Sequence, residues 1–299
     1  MRSGDFVVTA EITPPVSTDP AEFVARAASL KGLATAVNVT DGAGAKAHLS
    51  SLVGAYFLAR AGIEPILQMT CRDRNRIALQ GDLLGAAALG IRNVLVLGGD
   101  EPMAGDQPDA KPVYDLDTRG FLEMAHRMRS EHKLPPGTAI GGAVELVLGA
   151  ADIPVDPPAG WNPASLRAKA DAGADFIQTQ FCMDIEVVRR YAARLLELGI
   201  AQRAAILIGV APIPSARSAR WMREKLHGTI IPEAIVARLE GAADPKAEGR
   251  RICVELLQQL VEIPGVAGAH VMAPQSFPEI AAAIAESGVG RRKRRAAAT

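Results

Sequence analysis

Short apolar runs alternate with longer segments of helical periodicity along nearly the whole chain. The runs predict strands near 6–12, 34–39, 65–69, 92–97, 138–144, 174–179, 204–210 and 267–272. Between them, apolar residues recur at spacings of three and four. Phe23, Ala27 and Leu30 share one helical face, and Asp19-Pro20-Ala21-Glu22 before them is a helix start with an early acid. Ser50 opens a helix over 50–61. Ile77, Leu79, Leu83, Leu84 and Ala88 mark another over 73–88, with Gly90 as its stop. Further helical segments cover 118–130, 163–171, 184–198, 215–226, 232–241 and 246–261. The region 146–162 is rich in Pro, Gly and Asp and predicts a long loop over the site.

Eight strands alternating with helices predict an α/β fold, a (βα)8 TIM-type barrel. The expected organisation is a single barrel domain over 1–290 and a basic C-terminal tail over 291–299. An open doubly wound sheet is the alternative.

Several of these runs end in polar groups. Phe6-Val7-Val8-Thr9-Ala10 leads to Glu11, and Val37-Asn38-Val39 leads to Thr40 and Asp41. Val94-Leu95-Val96-Leu97 is followed by Gly98, Gly99 and Asp100, and Phe176-Ile177 runs into Gln178-Thr179-Gln180. A carboxylate leaving a buried strand costs solvation energy unless something uses or satisfies it. Polar groups gathered at the carboxyl ends of several strands are how such a barrel builds an active site.

Composition narrows the class. The 299 residues are 48% hydrophobic and 22% charged, as in a globular protein with a sizeable core. A net charge of 0 and only 4% aromatic residues give no reason to expect a nucleic-acid partner. The three cysteines, Cys71, Cys182 and Cys253, are too few and too far apart for a disulfide framework or a zinc knuckle. No metal site is expected. With no signal peptide and no apolar stretch long enough for a bilayer, the expected location is the cytoplasm, without membrane insertion. The basic run from Arg291 to Arg295 reads as a solvated terminus, with contact to nucleic acid or an anionic membrane as the alternative.

Six segments, taken in order, resemble the methylenetetrahydrofolate reductase family. They are Ala10-Glu11-Ile12-Thr13-Pro14-Pro15, Val39-Thr40-Asp41-Gly42-Ala43, Gln68-Met69-Thr70-Cys71-Arg72-Asp73-Arg74-Asn75, Gly90 through Asp100, Ala172 through Phe181, and Gly268-Ala269-His270-Val271-Met272. The resemblance implies a (βα)8 barrel that binds FAD at the carboxyl ends of its strands. In that family NADH or NADPH supplies hydride, and 5,10-methylenetetrahydrofolate becomes 5-methyltetrahydrofolate.

The resemblance also implies roles. Glu11 matches the family's acid, which delivers a proton to the departing nitrogen as the bridging ring opens to an iminium. Asp100 matches an aspartate between flavin and folate that binds the pterin and stabilises the cation. Gln180 matches a folate-recognition glutamine, and Gln178, two positions earlier, is expected on the same side of the strand. Thr40, Asp41, Gln68, Gly98, Gly99, Lys169 and Ala174 match flavin-side positions. The dense polar stretch from Arg72 to Arg76 reads equally as a phosphate or glutamate-tail site and as a local salt-bridge network.

The departures from the family pattern cluster on the expected flavin surface. Gln68 stands where many relatives have histidine, Gly98 where an arginine is frequent, and Ala216 where a phenylalanine stacks on substrate. Three readings follow: an FAD reductase, a flavin-free enzyme passing hydride directly from NAD(P)H, and a folate-binding methyltransferase or partner subunit without reductase activity. The expected partner is a folate, with a homo-oligomer or an electron-donor subunit as further possibilities.

Overall fold

The computed structural model describes residues 5–273 and 277–291. Eight parallel strands close into a barrel in chain order. They are β1 (Val7–Ile12), β2 (Ala36–Val39), β3 (Pro65–Thr70), β4 (Asn93–Leu97), β5 (Val147–Asp152), β6 (Phe176–Phe181), β7 (Ala205–Val210) and β8 (Val266–Val271). The helices outside them are α1 (Ala21–Ala28), α2 (Ser51–Arg60), α3 (Arg76–Ala88), α4 (Thr118–Glu131), α5 (Ala164–Asp171) and α6 (Ile185–Glu197). Three more, α7 (Ala216–Lys225), α8 (Glu233–Gly241) and α9 (Pro245–Leu260), separate β7 from β8, and α10 (Phe277–Ser287) follows β8. The barrel is the expected (βα)8 fold. Most of the basic tail lies outside the described residues, which end at Arg291.

The fifth strand corrects the sequence reading. It lies at Val147–Asp152, inside the region expected to be loop, and 138–144 is not a strand. The chain there makes a turn closed by Leu134 N–H on the Thr138 carbonyl at 2.9 Å, then passes Gly142 at φ 86°. β5 is hard to see because its centre is Gly149-Ala150-Ala151, with no β-branched residue. Gly149 is required: a Cβ there would lie 2.2 Å from the Phe176 ring. A large side chain on β6 thus fills barrel space that β5 leaves. Asp175 anchors the start of β5, accepting from Leu148 N–H at 2.8 Å and from Arg129.

The strand period of two sorts side chains cleanly. Val8, Ala10, Ile12, Val37 and Val39 face outward into the core shared with the helices. Inside, Val7, Ile66, Leu95, Phe176 and Leu207 form an apolar plug at the amino-terminal end of the barrel. The next inward positions are polar and buried: Thr9, Asn38, Gln68, Gln178 and His270. Such a layer is tolerable only if its groups satisfy one another.

Candidate active site

They do so in a continuous chain. Asn38 Nδ2 donates to Gln178 Oε1 at 2.7 Å, and Gln178 Nε2 donates back to Asn38 Oδ1 at 3.1 Å. Gln178 Nε2 also donates to Thr9 Oγ1 at 3.0 Å, and that hydroxyl lies 2.9 Å from His270 Nδ1. His270 Nε2 faces Oε2 of Glu11 at 3.7 Å. Gln68 Nε2 donates to the same oxygen at 2.8 Å. Glu11 is the top of this chain, with its side chain 28% exposed at the mouth, whereas His270 is sealed at 3%. Among the described residues, no hydrogen bond involves Oε1 of Glu11.

The two glutamines of β6 have separate positions. Gln178 belongs to the buried layer, with its amide engaged on both ends. Gln180 is half-buried at the strand end. Its Oε1 accepts from Phe181 N–H at 3.1 Å, and its amide nitrogen has no partner among the described residues. A bulge causes the difference: the β6–β7 register shifts between Gln178 and Phe181. Gly209 N–H turns to Thr179 Oγ1 at 2.9 Å, and a Cβ at Gly209 would sit 2.4 Å from the Thr179 carbonyl oxygen. Bulges beside active sites commonly re-aim a side chain in this way. Phe181 and Met183 are buried in the core.

The loop after β4 sits close to the end of β3. Gly99 takes φ 95°, and a Cβ there would lie 2.9 Å from Arg72 Cβ. Gly98 faces open space. Asp100 is exposed, and its Oδ2 accepts from Gly44 N–H at 2.8 Å. Arg72 Nη1 donates to the Asp100 carbonyl at 2.9 Å. Asp100 therefore joins the loops after β2, β3 and β4, with its carboxylate at the surface.

Arg72 to Arg76 form a local ion-pair network. Arg72 grips Asp73 through Nε and Nη2, both at 2.7 Å. That hydrogen bond holds the Asp73 carboxyl below the usual carboxylate range. Arg74 reaches Asp41 at 2.6 Å and Asp82 at 2.8 Å. Asp41 also accepts from Thr70 N–H at 2.9 Å and from Ser51 Oγ at 3.1 Å. Arg76 pairs with Asp115 at 2.7 Å. Burial pushes the neighbouring Cys71 thiol up to about 11, so it stays protonated near neutral pH.

The positions implied for a flavin fare unevenly. Thr40 is the best of them: its hydroxyl is buried at the end of β2 with no hydrogen-bond partner. Gln68 is engaged with Glu11, and Asp41 with Arg74. Lys169 donates to the Ala151 carbonyl at 2.7 Å and lies 3.8 Å from Asp152. Burial raises the Asp152 carboxyl above its ordinary range, against the Tyr191 hydroxyl that donates to it at 2.6 Å. Ala174 precedes β6, at the end of the barrel opposite the mouth, and the structure does not bring it to the site. Lys169, the one cation among these positions, already has internal partners that a flavin diphosphate would have to displace. A flavin would have to be held by Thr40, backbone groups and displaced ion pairs.

His270, Asn38 and Thr9 are the residues that sequence reasoning did not single out. Alternation along β1, β2 and β8 places them inward. Only closure of the barrel brings them beneath Glu11.

Fold and site together define a (βα)8 barrel with a carboxylate poised at the carboxyl-terminal mouth over a satisfied polar layer. The sequence profile of the methylenetetrahydrofolate reductase family matches residues 1–276, and the chain belongs to that family. The 5,10-methylenetetrahydrofolate reductase of Pectobacterium carotovorum is 28% identical over 267 residues, covering 87% of this chain and 82% of that protein. The Salmonella typhimurium enzyme of the same name is 25% identical, covering 83% and 78%. A probable NADPH-dependent methylenetetrahydrofolate reductase of Caenorhabditis elegans is 28% identical over 73% of this chain, which spans only 31% of its length. In three dimensions, the barrel matches a Clostridium thermocellum protein that binds two copies of 5-methyl-5,6,7,8-tetrahydrofolic acid. The TM-score is 0.57 at 14% identity, covering 95% and 94% of the two chains, and this likeness concerns the fold.

Proposed function

We propose that this chain reduces 5,10-methylenetetrahydrofolate to 5-methyltetrahydrofolate with hydride from NADH or NADPH. The observation that carries the reading is the setting of Glu11. Gln68 fixes Oε2 at 2.8 Å, while Oε1 is left without a partner among the described residues at the mouth. A carboxylic acid held in this way can give a proton to N10 of the substrate. The N10–methylene bond then breaks, leaving an iminium at N5. Hydride from the reduced nicotinamide adds to the methylene carbon. The products are 5-methyltetrahydrofolate, oxidised nicotinamide and a Glu11 carboxylate that takes its next proton from water.

Two further residues fit the substrate. The free amide nitrogen of Gln180 can donate to an acceptor on the pterin edge. The Asp100 carboxylate, exposed on the loop after β4, supplies negative charge for the iminium. Gln178 acts indirectly, by ordering the polar layer below.

Hydride can also pass directly from nicotinamide, which donates it unaided; NADH and NADPH carry the same diphosphate as FAD, and Arg74 and Lys169 are engaged internally towards either. The unpartnered hydroxyl of Thr40, at a position that the family resemblance gives to the flavin, can meet a ligand on either route.

The test is oxidation of NADH and of NADPH by purified protein, with and without methylenetetrahydrofolate, in parallel with the visible absorption spectrum before and after FAD. Folate-dependent oxidation by a colourless protein supports direct transfer. Stoichiometric flavin bands and a flavin requirement support the FAD route. Folate binding with no oxidation of either nicotinamide would contradict both and favour a binding or methyl-transfer role.

A further inference from the structure

We propose that His270 is a positioning residue that makes Glu11 a readier proton donor, and that Thr9 and Gln178 set the ring tautomer for this task. The inference rests on the reading of Glu11 as the acid. It follows from the direction of the buried hydrogen bonds. The Gln178 amide exchanges two bonds with Asn38 and lies with its nitrogen towards Thr9. That nitrogen donates to Thr9 Oγ1 at 3.0 Å and lies 3.5 Å from His270 Nδ1. The Thr9 hydroxyl has one proton and two candidate acceptors. His270 Nδ1 is at 2.9 Å and the Ala269 carbonyl at 3.4 Å, so the shorter contact takes it.

Nδ1 therefore faces donors and acts as the acceptor. The ring proton sits on Nε2, directed at Oε2 of Glu11. At 3.7 Å this is an electrostatic approach longer than a hydrogen bond. It can tighten when Glu11 becomes a carboxylate, as contacts in a site without substrate often do. The Nε2–H and the Gln68 amide would then hold the charge left on Oε2 after the proton has gone to substrate. Burial strengthens both contacts, because His270 and Gln68 are removed from water.

Other groups do not duplicate this role. The side chains that the buried chain brings to Glu11 and His270 are Gln68 from β3, Thr9 from β1 and Gln178 from β6, all neutral. On the adjoining loops Asp41 is engaged with Arg74, Asp73 with Arg72 and Asp100 with Gly44 N–H, and His48 has Nδ1 3.0 Å from the Pro14 carbonyl. His270 is the titratable partner that the chain of contacts places against Glu11.

The test is the pH dependence of folate-dependent NAD(P)H oxidation in His270→Phe, His270→Gln, Thr9→Val and Thr9→Ser. Removing the N–H should move the alkaline limb of kcat upward by about one pH unit and lower the maximum about tenfold. KM for the folate should stay within about twofold, because the lost contact acts on the acid and not on substrate binding. His270→Gln retains an N–H and should restore much of the limb position. Thr9→Val acts from below: it removes the donor to Nδ1, frees the ring to turn a bare Nε2 to Glu11, and should move the limb the same way. Thr9→Ser should behave like the parent. If His270→Phe does not fold, the Thr9 pair carries the test alone. A limb that stays put in His270→Phe or Thr9→Val, with rate falling only as stability falls, overturns the proposal. Glu11→Gln, measured alongside, separates the two claims. If it is slow and the limbs are unmoved, only the role of His270 fails. If it is near normal, the acid assignment fails as well.

Discussion

Gln68 places its amide nitrogen 2.8 Å from Oε2 of Glu11, joining β3 to β1 across the barrel mouth. The bond fixes the carboxyl orientation and leaves Oε1 free for substrate. A hydrogen bond to a charged group is worth about 1.5–3 kcal/mol. Gln68→Leu should therefore slow folate-dependent NAD(P)H oxidation by about ten- to a hundredfold. Steady-state rates at saturating substrate check this. A change under twofold would mean that Glu11 is oriented by other contacts.

Thr40 supplies a test that separates stability from binding. Its buried hydroxyl has no partner, so Thr40→Val removes no bond and relieves a desolvated oxygen. The variant should unfold in urea at the parental midpoint or above it. Affinity for whichever ligand meets that hydroxyl, nicotinamide or flavin, should weaken by about 1 kcal/mol, roughly fivefold. A fall in stability together with unchanged affinity would place the hydroxyl in a structural role.

The two glutamines of β6 should respond oppositely. Gln178→Leu leaves both ends of the Asn38 amide unpaired in a dry layer and takes one donor from Thr9 Oγ1, at about 1–3 kcal/mol for each unsatisfied group. Gln180→Ala removes no long-range bond and should change stability by less than about 0.5 kcal/mol. It should instead weaken folate binding about tenfold. Urea unfolding and folate titration by calorimetry distinguish them. The account of the bulge fails if the two substitutions give the same pattern.

Asp73 predicts an acid-dependent loss of stability. Its folded-state carboxyl is held low by the hydrogen bond from Arg72, while in the unfolded chain it titrates near the ordinary value of about 3.9. The unfolded state thus binds more protons between the two values. The contribution is full above that ordinary value and is lost as pH falls through the depressed folded value. Asp73→Asn should be less stable than the parent at pH 7, and the gap should narrow on acidification towards pH 3. A gap that does not vary with pH would mean that the Arg72 contact contributes through packing alone.

The barrel was largely legible because its strands are apolar and its helices strongly periodic. Val94-Leu95-Val96-Leu97 and the helix from Ile185 to Glu197 follow those patterns closely. β5 escaped because Phe176 fills its space, leaving Gly149-Ala150-Ala151 without strand character. The site was half legible. Glu11, Asp100 and Gln180 end their strands in carboxylates or amides, a local signal. Gln178 carries the same signal one inward position lower, and only the bulge separates the two glutamines. His270 and Thr9 became visible through contacts 261 residues apart in sequence, which strand periodicity does not encode. The charged groups at Asp41, Arg74 and Lys169 showed the right chemistry for ligands, but their partners come from neighbouring loops and strands.

The central claim is that Glu11 delivers the proton that opens methylenetetrahydrofolate. The direct measurement is the rate of folate-dependent NAD(P)H oxidation by Glu11→Gln, with folate affinity measured on the same preparation. The account predicts a rate lowered at least a hundredfold, in line with loss of a general acid, and affinity within about threefold of the parent. A near-parental rate with intact binding would contradict it and return Glu11 to a structural role at the end of β1.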